Sequence, residues 1–121
     1  MSIEYNTSSK KNHLLVKSHG ESDDIEVIGS YVREITNICK QQGYKRILVD
    51  ERNRDYKLQE VLDLYKLANF FNTLDISKLQ IAVICQPQFL DQIRFLETTT
   101  NNHGINLKFF VDLDSAKRWL L

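Results

Sequence analysis

The sequence predicts an α/β fold: a single domain over residues 1–121 with a mostly parallel sheet of about five strands and about four flanking helices. Apolar runs at residues 47–49 and 81–85 are typical of strands buried on both faces. Segments with helical apolar spacing alternate with these strands, which indicates crossover connections. A length of 121 residues suits one domain with one core.

The first residues predict an antiparallel hairpin at one edge of the sheet. Ile3 and Tyr5 alternate with polar neighbours, which is typical of a short strand. A polar turn at residues 7–12 leads into a second strand at residues 13–18, which we expect to end at His19.

The first helix is predicted to begin at residues 22–24 and to end before Gly43. Asp23 and Glu26 resemble a capping box at its start, and Gly43 suits a left-handed cap at its end. Apolar residues at helical spacing give this helix one buried face: Ile25, Ile28, Val32, Ile35 and Cys39.

The central strand is predicted at residues 45–49 and the next buried strand at residues 80–85. Between them, a second helix is expected over residues 57–72, because apolar residues recur there at helical spacing. Charged residues follow the central strand directly, so we expect the chain to leave the sheet near Asp50.

The last third of the chain predicts one more helix, one more strand and a closing helix. Pro87, the only proline, suits the first turn of the third helix. Residues 105–111 alternate like a strand, and Asp112 can cap a short final helix. Trp119 is expected to cover one end of the core.

Composition excludes several classes of function. Lys+Arg and Asp+Glu are both 16, and a net charge of zero argues against a general nucleic-acid binder. Without a signal segment or an apolar stretch near ~20 residues, we expect a cytoplasmic protein that does not insert into membranes.

Cys39 and Cys85 form no CxxC pair and are expected to be reduced and buried. His13 and His19 lie too far apart along a strand to chelate one ion, and no metal or cofactor is predicted.

Two stretches carry a resemblance to a known family. RILVD at residues 46–50 follows a capped helix, and DSAKRWL at residues 114–120 closes the chain. With the order of elements, they resemble STAS domains (sulfate transporter and anti-sigma-factor antagonist), in particular the small stand-alone bacterial STAS-like proteins. The resemblance covers nearly the whole chain. It implies a regulatory module that binds a protein partner or itself.

The sequence also departs from that family. Its antagonist proteins carry a phosphorylatable serine or threonine just after the strand that matches residues 47–49. Residues 50–56 contain neither, although Asp50 matches the strand-ending aspartate. The fold is also similar to that of lipid-carrying CRAL-TRIO domains. Lipid binding is therefore a third hypothesis, against which the short chain and the lack of a basic amphipathic helix argue.

A second hypothesis places a small-anion or nucleotide site beyond the carboxyl ends of the strands, where ligands bind in such sheets. The forked donors of Arg52 and Arg54 suit a phosphate or carboxylate near a helix N-terminus. The alternative is a solvated loop in which these arginines pair with Asp55 or Glu51. The candidate crevice consists of His19, Asp50, Arg52, Asn53, Arg54 and Gln86.

Asp50 and Glu51 look like a paired acid and base, but adjacent residues on a strand point to opposite faces. We expect Asp50 to accept hydrogen bonds from backbone or arginine donors, and Glu51 to be solvated. No catalytic residue is predicted, and the sequence leans away from an enzyme without excluding one.

The second helix is apolar on more than one side, which indicates either deep packing or a surface for a partner. The leading hypothesis is therefore a non-catalytic regulatory or protein-interaction module. If the helix has an exposed face, Leu67→Asp or Phe70→Asp is expected to abolish association without unfolding the protein. The candidate partner-binding residues are Leu64, Leu67, Phe70 and Phe71.

Overall fold

The computed structural model describes residues 3–22, 24–56 and 61–121. Its strands are β1 (Ile3–Ser9), β2 (Leu14–Ser22), β3 (Arg46–Tyr56), β4 (Gln80–Ile84) and β5 (Asn106–Phe110). Its helices are α1 (Ile25–Gln41), α2 (Val61–Asn72), α3 (Leu90–Asn101) and α4 (Leu113–Leu120).

The strands form one five-stranded sheet in the order β1-β2-β3-β4-β5. β1 runs antiparallel to β2, and every other neighbouring pair is parallel. The predicted α/β class, the mostly parallel sheet and the antiparallel N-terminal edge strand are therefore confirmed.

The helices divide unequally between the two faces of the sheet. Side chains of α1, α2 and α3 join one face of the sheet in the larger core cluster, which we call the helical face. On the other face, α4 packs over β3, β4 and β5, where Leu48, Ala82 and Ile84 meet Ala116 and Leu120. The contacts of α4 are concentrated on these three strands, so β1 and the outer part of β2 are more open on this face.

Helix α1 begins with a capping aspartate, as expected, but this cap lies one residue later than predicted. Asp24 is the N-cap, and its Oδ1 accepts a hydrogen bond from the backbone N–H of Glu26 at 2.9 Å. The predicted capping residue, Asp23, lies outside the described residues. At the other end, Gly43 adopts a φ of 78°, which glycine tolerates without steric cost.

Strands β2 and β3 are both longer than predicted. We expected β2 to end at His19 and the chain to leave the sheet near Asp50, but the strands stay paired to Ser22 and Tyr56. These predictions were wrong because the polar residues beyond Asp50 bond to each other inside the fold. An apolar run is therefore not needed to keep that stretch in the sheet.

The remaining boundaries follow the sequence closely. The predicted start of the second helix at residue 57 lies outside the described residues, and α2 ends at Asn72 as expected. A 3-10 turn at Pro87–Phe89 precedes α3, with the proline in its first turn. Asp112 caps α4 by accepting a hydrogen bond from the backbone N–H of Ser115 at 2.8 Å.

Candidate functional site

An irregularity in β3 divides the predicted ligand crevice between the two faces of the sheet. Between Lys17 and His19 the register shifts, because β3 advances by three residues where β2 advances by two. A bulge of this kind moves the alternation of side chains along by one residue. Glu51 and Arg54, three residues apart, therefore point to the same face, whereas a regular strand would place them on opposite faces.

Glu51 is the centre of a buried polar cluster on the helical face. It is 7% exposed, and its partner Arg54 is 4% exposed. Glu51 Oε2 accepts hydrogen bonds from Arg54 Nη1 and from Tyr31 Oη, both at 2.8 Å, and the Tyr56 hydroxyl donates to Oε1. Three donors compensate the charge for the loss of water. The prediction of a solvated Glu51 was wrong because alternation from Ile47 and Val49 points this side chain to the helical face, where the bulge brings Arg54 to meet it.

The two tyrosines of the cluster are held in their protonated form. Tyr31 has a single hydroxyl proton, which it donates to Glu51, so the hydroxyl of Ser18, 2.8 Å away, acts as donor to Tyr31. Burial, followed by the negative charge of Glu51, raises the pKa of Tyr31 well above its ordinary value. The same two causes, in the same order, raise the pKa of Tyr56. Both phenols therefore remain donors at neutral pH.

Arg54 is clamped between aromatic rings and keeps one donor without a partner. Its guanidinium carbon lies 5.3 Å from the centre of the Tyr31 ring and 5.1 Å from that of Tyr56. Burial opposes its charge, but Glu51 and the two tyrosines outweigh that effect and raise its pKa. Its Nε is buried and has no hydrogen-bond acceptor in the part of the chain that the structure describes, and the cluster borders a core cavity of about 70 Å³. The Nε–H of Arg54 can therefore donate to one further hydrogen-bond acceptor.

Asp50 and Arg52 form a separate pair on the opposite face of the sheet. Arg52 donates from Nε to Asp50 Oδ1 at 2.9 Å and from Nη2 to Oδ2 at 2.7 Å. These hydrogen bonds lower the pKa of Asp50, and burial only partly opposes them. Asp50 thus accepts arginine donors as predicted. Arg52 and Arg54, however, lie on different faces and cannot hold one anion together.

The other crevice residues are also separated. His19 Nε2 lies 2.9 Å from Glu4 Oε2 on the exposed part of the sheet, and Asn53 is exposed beside it in register. β4 stops pairing at Ile84, and Gln86 takes its place by donating to the carbonyl oxygens of Arg52 at 2.9 Å and Arg54 at 3.2 Å. The amide of Gln86 thus supports the extension of β3. Ligand binding by these residues stays a prediction.

The candidate partner residues of α2 differ in exposure. Leu64 and Leu67 are buried in the core, whereas Phe70 and Phe71 are half-buried. Phe70 fills the contact between α1 and α2, because a Cβ built on Gly29 would lie only 2.8 Å from its Cζ. The most exposed aromatic side chain on this helix is Tyr65, at 51%. A partner role for this helix stays a prediction, in which the two leucines support the surface from beneath.

Sequence reasoning missed three members of the buried cluster: Ser18, Tyr31 and Tyr56. A signal was present for two of them. Ser18 continues the inward-facing series of β2 that begins at Leu14, and Tyr31 lies three residues after Ile28 on the apolar face of α1. A polar group on an apolar stripe requires a buried partner. No comparable signal marks Tyr56, because its inward direction depends on the bulge.

The described residues contain neither a metal-binding cluster nor a helix that could span a membrane. Across residues 3–22, 24–56 and 61–121, no group of three or more His, Cys, Asp or Glu side chains could hold a metal ion. In the same part of the chain, every helix is too short or too polar to cross a membrane.

Comparisons with known proteins agree with this fold. No protein-family model matches the sequence, and no curated protein matches it. The structure is similar to that of an anti-sigma factor antagonist from Mycobacterium paratuberculosis, with a TM-score of 0.63 and 16% identity over 98% of this chain and 94% of that one. It is also similar to an uncharacterized DUF3478-family protein with a SpoIIAA-like fold from Shewanella loihica PV-4, with a TM-score of 0.55 and 20% identity over 99% and 94%. The chain therefore has the STAS-like fold.

Proposed function

We propose that this chain is a regulatory protein-interaction module of the cytoplasm, and that it binds a protein partner or a second copy of itself. The observation that carries the proposal is the likeness in fold to an anti-sigma factor antagonist, which extends over nearly the whole of both chains. A protein of that description acts through another protein. The function of the present chain is thus inferred from its architecture and from the surface that its helices offer.

The outer side of α2 is the surface that suits a partner best. We define the α2 patch as Tyr65, Lys66, Asn69 and Phe70. The ring of Tyr65 packs edge-on against Phe95 of α3, with 4.7 Å between ring centres, so its position is fixed before binding. A rigid tyrosine with an apolar ring and a polar hydroxyl is the kind of side chain that is enriched at protein interfaces.

We propose that partner binding is not controlled by phosphorylation next to the central strand. No serine or threonine occurs anywhere from residue 46 to residue 72, which covers β3 and α2. The antagonist switch that the resemblance implies acts on a serine or threonine hydroxyl, and this stretch has neither residue. A regulatory signal would instead have to act on the partner or on another part of this chain.

Recovery of a tagged protein from its own host cells tests the proposal. We expect wild type to carry a partner that Tyr65→Asp loses, because a charge placed in a desolvated interface costs at least about 2 kcal/mol, or roughly thirtyfold in affinity. Val111→Asp is the matched control, since Val111 is exposed and follows β5 rather than lying on α2. Circular dichroism should give a native spectrum and cooperative unfolding for both variants, and loss of the Tyr65–Phe95 ring contact should lower the Tm of Tyr65→Asp by only a few degrees.

Leu67→Asp separates loss of binding from loss of folding. Leu67 is buried at 4% exposure, so a buried unpaired carboxylate is expected to unfold the protein rather than block association alone. The proposal fails if Tyr65→Asp and Val111→Asp retain the same partner to the same extent. If the partner is a second copy, sedimentation should give a dimer for wild type and a monomer for Tyr65→Asp.

A further inference from the structure

A groove of about 390 Å³ lies on the face of the sheet that α4 leaves open. The β1–β2 turn, β2, β3 and α4 form its walls. Five cationic side chains and one carboxylate line it: Lys10, Lys11, Lys17, Arg52, Lys117 and Asp50. Its volume falls within the ~300–1,000 Å³ that is usual for sites of small molecules. We call it the basic groove.

The turn that carries two of these lysines is fixed by its contacts with the end of α1. Tyr44 Oη donates to the carbonyl oxygen of Lys10 at 2.5 Å, and Ser9 Oγ donates to Gln42 Oε1 at 2.9 Å. Within the turn, the N–H of Lys10 donates to the carbonyl oxygen of His13 at 3.0 Å. The backbone of this wall is therefore set before any ligand arrives, which lowers the entropic cost of binding.

The charge of the basic groove is one-sided although the whole chain has a net charge of zero. Asp50 is the one carboxylate among the described residues that line the groove, and it is already bound by both Nε and Nη2 of Arg52. No second acid among the described lining residues neutralises the remaining cations, which are the lysines. Leu15 and Leu113 add an apolar part to the same surface. Cations beside an apolar floor suit a ligand that has both an anionic and an apolar portion.

We propose that the basic groove binds a phosphorylated small molecule with at least two negative charges, its phosphate held by the lysines and its apolar portion resting on Leu15 and Leu113. This site replaces the predicted anion crevice: it retains Asp50 and Arg52 and leaves out Arg54, which belongs to the buried cluster. The proposal is independent of the α2 patch, because α2 packs on the helical face and the groove opens on the other.

His13 provides a probe inside the basic groove. Burial, then the charges of Lys117 and Lys10, lower its pKa below the ordinary histidine value. A bound anion offsets the field of the lysines and favours the protonated imidazole, so it must raise the pKa of His13. Asp50, Lys11, Lys17 and Arg52 are the other charged groups that line the groove. His103, near the C-terminal end of α3, is a histidine outside the groove and serves as an internal reference.

The experiment is an NMR titration of the histidine ring protons with inorganic pyrophosphate at constant ionic strength. We expect pyrophosphate to raise the pKa of His13 and to leave the ring-proton signals of His103, compared at one pH, in place. Lys17→Ala and Lys117→Ala should each weaken pyrophosphate binding by roughly fivefold or more, as expected for a charged contact. Lys78→Ala removes another exposed lysine, outside the groove, and should change the affinity less than about twofold.

Four outcomes would overturn the proposal. The first is an unchanged His13 pKa at millimolar pyrophosphate. The second is an equal loss of affinity in Lys78→Ala and Lys117→Ala, which would mean that pyrophosphate only screens the surface. The third is equally tight binding of citrate, which would remove the preference for phosphate. The fourth is binding to vesicles that contain phosphatidylglycerol without any effect of pyrophosphate, which would assign the groove to a lipid surface.

Discussion

Replacing Arg54 by methionine removes the cation of the buried cluster while keeping most of the side-chain volume. Glu51 would lose the 2.8 Å hydrogen bond from Nη1, worth about 2 kcal/mol, and the two ring contacts would lose about 1 kcal/mol each. Removal of the unpaired Nε would return about 1 kcal/mol. The expected net cost is about 3 kcal/mol, at the low end of the ~3–5 kcal/mol typical of a broken buried ion pair.

The assay is urea unfolding followed by circular dichroism, with thermal unfolding in parallel. A cost of about 3 kcal/mol corresponds to a fall in Tm of roughly 12 °C for a domain of this size. Arg52→Met is the matched control: the same substitution two residues away, in a half-exposed pair with Asp50, should cost less than about 1 kcal/mol.

A double-mutant cycle then tests whether the cluster acts as a unit. Glu51→Gln leaves the Arg54 charge buried without its carboxylate, and Arg54→Met leaves the Glu51 charge buried without its cation. The double variant has neither charge, so it should be more stable than the sum of the two single effects by at least about 2 kcal/mol. Additive effects, or equal costs for Arg54→Met and Arg52→Met, would refute the buried ion pair.

Three further predictions concern ionisation. The pKa values of Tyr31 and Tyr56 are raised in the folded state, so the contribution of these side chains to stability is complete below about pH 10 and is lost as pH rises further. Their tyrosinate absorbance should therefore appear only together with alkaline unfolding. Burial raises the thiol pKa values of Cys39 and Cys85 to about 11, so a disulfide reagent at pH 8 should modify them only at the rate of unfolding. The pKa of Asp50 is lowered in the folded state. Its contribution to the free energy of unfolding is therefore present above about pH 4 and is lost as pH falls through the folded pKa. Urea unfolding should show Asp50→Asn to be less stable than wild type at pH 7 but not at pH 2.

Most of the architecture could be predicted because each element follows a local rule. The apolar run at Ile47–Val49, the alternation along β5 and the cap of α4 by Asp112 each depend on residues close together in the sequence. The order of strands and helices then left few ways to form a sheet. The fold class and the antiparallel edge strand therefore followed from the sequence pattern. The same stretches carried the resemblance to STAS domains.

The site could not be predicted to the same degree, because its geometry depends on one irregular pairing between β2 and β3. Regular alternation places Glu51 and Arg54 on opposite faces, and the bulge reverses that for Arg54. From sequence alone, charged residues are expected to be solvated. Here four polar side chains supply the hydrogen bonds of buried Glu51, either directly or through Tyr31. Likewise, the apolar character of α2 indicated deep packing or a partner surface, and only the structure distinguishes buried Leu64 from exposed Tyr65.

Native mass spectrometry of the protein purified gently from its own host cells tests the interaction module most directly. Wild type and Tyr65→Asp would be measured side by side, with Val111→Asp as the folded control. We predict that wild type and the control carry the mass of a second protein chain, and that Tyr65→Asp is recovered as the bare chain. Wild type without any second chain would contradict the proposed function, and an added mass of only a small molecule would point to the basic groove instead.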